Sequence, residues 1–183
     1  MSVFLCVSSS NAWALNLESI LTATTITPPA RVNFHEERHN QMLKEPLVLN
    51  GYLEYLEEGH LRKVVESPFQ EAFRIEGDQI EIQRDGGTKV FAIKKSRSLR
   101  AMLVGIEAIL AGQVDQLSAI FFVELSGTDD DWFMLLTPRS KRIAKQLIRL
   151  QVTGDAEAVT SIRIELAGGE WHQMEIIQAG PVK

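Results

Sequence analysis

Apolar residues recur at every second position along most of this chain, which is the spacing of half-buried strands. Ala30 to Leu43 alternates weakly through Val32 and Phe34, whereas Leu47 to Glu57 sets Leu47, Leu49, Gly51, Leu53 and Tyr55 on one face and Val48, Tyr52 and Leu56 on the other. The second segment is therefore apolar on both faces. Glu57-Glu58-Gly59-His60 marks a turn, Leu61 to Glu66 returns, and Ser67-Pro68 breaks the run before Phe69, Phe73 and Ile75. Ile80 and Ile82 follow, then Asp85-Gly86-Gly87 as a hairpin signal and Val90 to Ile93. Six or so strands with short connections favour antiparallel pairing.

The period then changes to that of a helix. From Ser98 to Ala111, residues Leu99, Met102, Leu103, Ile106, Ile109 and Leu110 form one strongly apolar stripe, with Gly112 as the stop. Strands resume at Ala119 to Leu125 and, after a turn at Ser126 to Asp131, at Trp132 to Thr137, which Pro138 closes. Arg139 to Gln146 reads as a basic, partly helical connector. Leu147 to Gly154, Val159 to Leu166 and, beyond a Gly168-Gly169 turn, Glu170 to Ile177 then form a three-strand meander. Upstream, Leu15 to Leu21 suits a short helix, and the Thr-rich stretch ending at Pro28-Pro29 is a connector. About eleven strands and one amphipathic helix predict a mainly β fold, a strongly curved antiparallel sheet wrapped as an incomplete barrel around the helix.

Composition changes this picture only at the start of the chain. The 183 residues are 45% hydrophobic and 23% charged, with a net charge of −5. A domain of this size buries about 70% of the surface of its unfolded chain and needs no disulfide or metal staple. The mild acidity excludes a nucleic-acid partner, which requires a basic face. Glu18 is the one charged side chain from Met1 to Ala30, and Ala12-Trp13-Ala14 resembles a signal-peptidase site. Residues 1–14 are therefore expected to be a truncated secretory signal, leaving 15–183 as a single exported domain. The other reading of this segment is a buried strand or a disordered terminus. The sole cysteine, Cys6, would leave with the signal, and Phe4 and Leu5 before it do not fit a lipobox.

Candidate chemistry is sparse. His35 and His39 would lie roughly 13 Å apart on one strand face, too far to share a metal. No serine sits in a nucleophile elbow, no glycine loop resembles a phosphate cradle, and Asp129-Asp130-Asp131 reads as a solvated turn. The expectation is a non-enzyme with no cofactor and no metal. The apolar concave side of the sheet either is simply packed by the helix or holds an acyl chain. The residues expected to line it are Leu49, Leu53, Phe73, Ile75, Ile82, Phe121, Val123 and Leu135, with Leu99, Leu103 and Ile106 from the helix. Arg139, Lys141, Arg142 and Lys145 form either a solvated connector or a contact for an acidic partner or lipid headgroups.

Several local motifs occur in a recognisable order. Gly51-Tyr52-Leu53 is followed by a turn ending in Gly59, then Leu61-Arg62 and Ser67-Pro68; Gly77-Asp78 precedes Ile80; and Trp132 to Pro138 forms a Trp-x-hydrophobic-x-hydrophobic-x-Pro strand. In this order the chain resembles the periplasmic lipoprotein carrier family, LolA-like, from about Phe34 to Ile177. The resemblance implies an incomplete barrel of about eleven strands closed by helices, and a monomeric soluble carrier in the periplasm of a Gram-negative bacterium. Such a carrier takes the acyl chains of a lipoprotein or lipid cargo from an inner-membrane donor complex to an outer-membrane acceptor. It also implies that Arg62 is a lid latch; otherwise Arg62 is an exposed strand arginine. Lys63 and Leu61 stand where the family has Trp and Phe. The alternative on the same scaffold is a non-catalytic periplasmic sensor or regulatory module.

Overall fold

The alternation resolves into one antiparallel sheet interrupted by helices. The computed structural model describes residues 15–57 and 60–177; the expected signal segment, and Glu58 and Gly59 of the first turn, lie outside them. A short helix α1 (Leu17–Ala23) precedes six strands, β1 (Ala30–His39), β2 (Leu47–Glu57), β3 (His60–Ser67), β4 (Glu71–Glu76), β5 (Gln79–Arg84) and β6 (Gly87–Ala92). Helices α2 (Arg97–Leu110) and α3 (Val114–Ile120) follow, then β7 (Phe121–Thr128), β8 (Asp131–Pro138), β9 (Leu147–Gly154), β10 (Val159–Leu166) and β11 (Trp171–Ile177). The strand order is β6-β5-β4-β3-β2-β1-β11-β10-β9-β8-β7, so the sheet is unclosed, with β6 and β7 as its edges. Two meanders, β1–β6 and β7–β11, meet where β1 pairs with β11.

The sheet is curved around α2. Strands β3 and β9 are five steps apart in the sheet, about 24 Å if it were flat. Yet α2, about 10–12 Å thick, meets both: Leu103 shares a cleft with Leu61 and Ile75, while Gly105 lies against Leu150. Cross-strand partners share a face, so the ladder can be traced from Phe34 through Gly51 to Val65 on one side and Ile176 on the other. This inner face carries the core; the next residue along each strand points outward.

Helix α2 begins at Ser96, whose Oγ accepts the Leu99 N–H at 3.3 Å. It ends at Gly112, whose φ of +68° supplies the left-handed turn that other residues rarely adopt. Its small side Ala101, Gly105 and Ala108 is buried against the sheet. At Gly105 a Cβ would come within 2.8 Å of the Phe121 ring, so the glycine sets the helix-to-strand distance. Helix α3 occupies the stretch between the predicted helix and strand, and β7 starts at Phe121 rather than Ala119. The basic connector forms hydrogen-bonded turns, such as Ala144 N–H to Ser140 O, not a helix. Among the described residues no helix is long and apolar enough to cross a membrane.

Candidate functional site

The inner face is filled unevenly. Under β7–β10, Phe121, Trp132, Met134, Leu136, Leu147, Leu150 and Val152 are fully buried together with Leu21 of α1, Ile109 of α2 and Leu117 of α3. Trp132 is anchored there by its Nε1–H, which donates to Asp155 O at 2.7 Å. Under β1–β5 a much smaller cluster, Phe34, Leu49 and Val65, is fully buried. Around it Leu53, Leu61, Phe73, Ile75 and Ile82 point to the same face but are only half-buried. The same alternation thus yields a sealed core in one half and an open apolar wall in the other.

A cleft of about 60 Å³ opens where that wall meets α2. It is lined by Leu61 and Ile75 from β3 and β4, Leu103 and Val104 from α2, Ile93, and the polar Arg100, Glu107 and Asp78. Pockets that bind small molecules are commonly 300–1,000 Å³, and this cleft is well below that range.

Of the residues expected to line a cavity, Leu49, Leu53, Phe73, Ile75 and Ile82 lie on the inner face of the open half. Phe121 and Val123 lie on the inner face of the sealed half, opposite Pro138 and Leu136. Leu103 borders the cleft, and Leu99 and Ile106 are half-buried on the same helix. Leu135 differs from expectation: it pairs with Glu124 and Gln151, one residue out of phase with the buried Met134 and Leu136, and so faces outward. Such a one-residue offset exchanges the two faces of a strand.

Arg62 also belongs to the outer face. It stands opposite Glu54 on β2 and Arg74 on β4, and its Nη1 donates to Glu54 Oε2 at 3.1 Å with 34% of the side chain exposed. The inner-face cation is its neighbour Lys63, opposite Leu53 and Phe73. Lys63 passes 4.5 Å from the centre of the Phe34 ring and donates to Glu36 Oε2. Glu36 is 2% exposed. It also accepts from Arg38 Nε at 3.1 Å and Nη2 at 3.2 Å, and His172 Nδ1 lies 3.8 Å away.

This cluster sets its own charge states. Burial alone would raise the Glu36 carboxyl, but the Lys63 ammonium and Arg38 guanidinium outweigh it and hold the carboxyl below its ordinary range. Burial pushes Lys63 down to about 8 against the pull of Glu36, with Arg38 assisting. Burial, again with Arg38, pushes His172 down to about 4. At neutral pH the centre of the inner face therefore holds one carboxylate, two cations and a neutral imidazole. The sequence did carry a signal for it: Glu36 and Arg38 share the parity of Phe34, and Lys63 that of Leu61 and Val65, so polar residues interrupt the inward register.

Two of the other histidines are accounted for locally. His35 Nδ1 lies 2.9 Å from Asn50 Oδ1, and His39 stacks on Trp171 with ring centres 5.6 Å apart. Among the described residues no group of three or more His, Cys, Asp or Glu is placed to hold a metal ion.

Residues 9–179 match the family model described as outer membrane lipoprotein carrier protein LolA-like. No curated protein matches the chain. Among solved structures, the LolA superfamily protein NE2245 from Nitrosomonas europaea is similar at 11% identity and a TM-score of 0.46, over 92% of this chain and 96% of that one. The Mycobacterium tuberculosis lipoprotein LppX is similar at 11% identity and a TM-score of 0.44, over 91% and 97%. The Pseudomonas aeruginosa MucA/MucB complex is similar at 10% identity and a TM-score of 0.45, over 91% of this chain and 59% of that one.

Proposed function

Because this chain belongs to the outer membrane lipoprotein carrier protein LolA-like family, we propose that it is a non-catalytic carrier for the acyl chains of a lipoprotein or lipid. In this reading it is an exported periplasmic protein of residues 15–183, freed of a signal at 1–14, and it moves cargo from an inner-membrane donor towards an outer-membrane acceptor. The observation that carries the proposal is the half-buried apolar wall of Leu53, Leu61, Phe73, Ile75 and Ile82 beside a cleft bordered by α2. Leu49 would form its floor, and Leu99, Leu103 and Ile106 its movable side. Phe121 and Val123, inside the sealed half, support α2 rather than meet cargo. Arg62, engaged with Glu54 on the outer face, is left out of the binding surface.

The energetics suit a shuttle. Each buried methylene is worth about 0.8 kcal/mol, so a long chain binds strongly, and separating α2 from β3 and β4 offsets part of that gain. A carrier with a collapsed cleft when empty binds reversibly for this reason.

Native mass spectrometry of the exported protein, purified without detergent, tests the proposal. Species heavier than the mature chain by an acylated molecule, removed by delipidation and restored by added cargo, are expected. A chain that stays free of acylated species under every gentle condition overturns it. The small size of the cleft favours a second reading, a regulatory module that never hands over cargo. A stable protein partner recovered without any transfer of labelled lipid between vesicles supports that one instead.

A further inference from the structure

Although the chain is acidic overall, residues 93–106 and 132–154 contain nine Lys and Arg and no Asp or Glu. The fold joins these two stretches: Ser98 Oγ, in the first turn of α2, donates to Gln146 Oε1 of the β8–β9 connector at 2.6 Å. Two of the nine are engaged, Arg139 donating to Ser118 O and Phe121 O and Arg149 pairing with Glu165, and a third, Arg100, lines the cleft beside Asp78 and Glu107. The remaining six, Lys94, Lys95, Arg97, Lys141, Arg142 and Lys145, are exposed, and none forms an ion pair with a described residue.

The first turn of α2 contains no acid, so the positive end of the helix dipole adds to the six side chains. Two large apolar side chains flank the connector: Phe122, 51% exposed beneath the Arg139 guanidinium at 4.2 Å, and Ile148, 42% exposed. Long flexible cations around exposed apolar groups suit a surface that presents anionic density.

We propose that this face docks onto an anionic phospholipid bilayer, with lipid phosphates as the missing counter-charges. Docking sets the first turn of α2, the helix that closes the cleft, at the membrane surface. The binding is independent of whether the chain carries cargo.

Flotation of the full chain with vesicles of phosphatidylcholine alone, or mixed with phosphatidylglycerol, tests it. Binding is expected only to the mixed vesicles, falling steeply as sodium chloride rises from about 0.05 to about 0.5 M. Reversing Lys141, Arg142 and Lys145 to Glu is expected to weaken it at least about tenfold, and reversing Lys94, Lys95 and Arg97 to do the same. Reversing Arg31, Arg74 and Lys89, exposed elsewhere on the sheet, changes net charge equally and should leave binding within about twofold. Equal binding to neutral vesicles, equal loss in the control triple, or no binding at low salt overturns the proposal. So does tighter binding to polyglutamate than to the mixed vesicles, which would assign the face to an acidic protein. Circular dichroism verifies that each variant is folded.

Discussion

Strands β8 and β9 and strands β3 and β4 are built on the same alternation but have opposite fates. Met134, Leu136, Leu150 and Val152 are completely buried, whereas Leu61, Phe73 and Ile75, in equivalent inward positions, keep part of their surface in contact with solvent. The difference comes from the helix between them. On one side α2 presents Ala101, Gly105 and Ala108, which allow the close approach seen at Phe121; on the other it presents Leu103 and Val104 across a cleft. One half of the sheet is thus spent on stability. The other retains apolar surface that folding leaves unused.

The comparison can be broken most forcefully in the sealed half. Leu150→Ala or Met134→Ala is expected to lose about 2–5 kcal/mol of stability by urea denaturation. Phe73→Ala should lose under half as much while weakening binding of a fluorescent acyl probe; equal stability losses in the two halves would remove the distinction. Next in size is the charge cluster at the boundary. Glu36→Gln strands Lys63 and Arg38 and is expected to cost about 3 kcal/mol, whereas Glu36→Leu combined with Lys63→Met should cost much less. A double variant as unstable as the single would show that the ion pair itself holds the fold.

A smaller effect follows from pH. His172 is held at about 4, below its ordinary 6.5, so an unfolded chain takes up a proton that the folded one refuses. Stability should therefore fall as pH drops from 6.5 to 4, by about 1–3 kcal/mol, with Glu36 adding to the loss below 4.5. Lys63, at about 8, works in the same sense at the alkaline end, where stability should rise between pH 8 and 10.5. Thermal midpoints of His172→Phe across the acid range should lack the His172 component. Smallest of all, Arg62→Ala removes an outer-face pair worth under about 1 kcal/mol and should leave acyl-probe affinity unchanged. A large loss of affinity would return Arg62 to the binding surface.

Much of this was legible in the sequence because burial imposes period. Leu47–Glu57, Leu147–Gly154 and Val159–Leu166 are strands over the residues that alternation marks, and the Leu99-to-Leu110 stripe is α2. Helix α3 was hidden because Gly112 reads as the end of helical structure, and seven residues are too few to establish a new period. Leu135 and Arg62 were assigned by type and motif, whereas their faces are decided by register, which only pairing partners fix. The Glu36 cluster escaped for a different reason. Its members come from β1, β3 and β11, far apart in sequence, and charge on an inward parity becomes meaningful only when the strands are set side by side.

The junction of β1 with β11 has a further consequence. Every other pairing in the sheet joins neighbours along the chain, but Phe34 meets Ile176 across about 140 residues. Each meander can zip locally, whereas this one ladder must close nearly the whole chain at once, at an entropic cost that grows with the logarithm of the loop. It is expected to be the slowest contact to find. The two meanders are accordingly expected to nucleate separately, with their union at a single seam limiting the folding rate, which substitutions at the seam would slow in stopped-flow refolding.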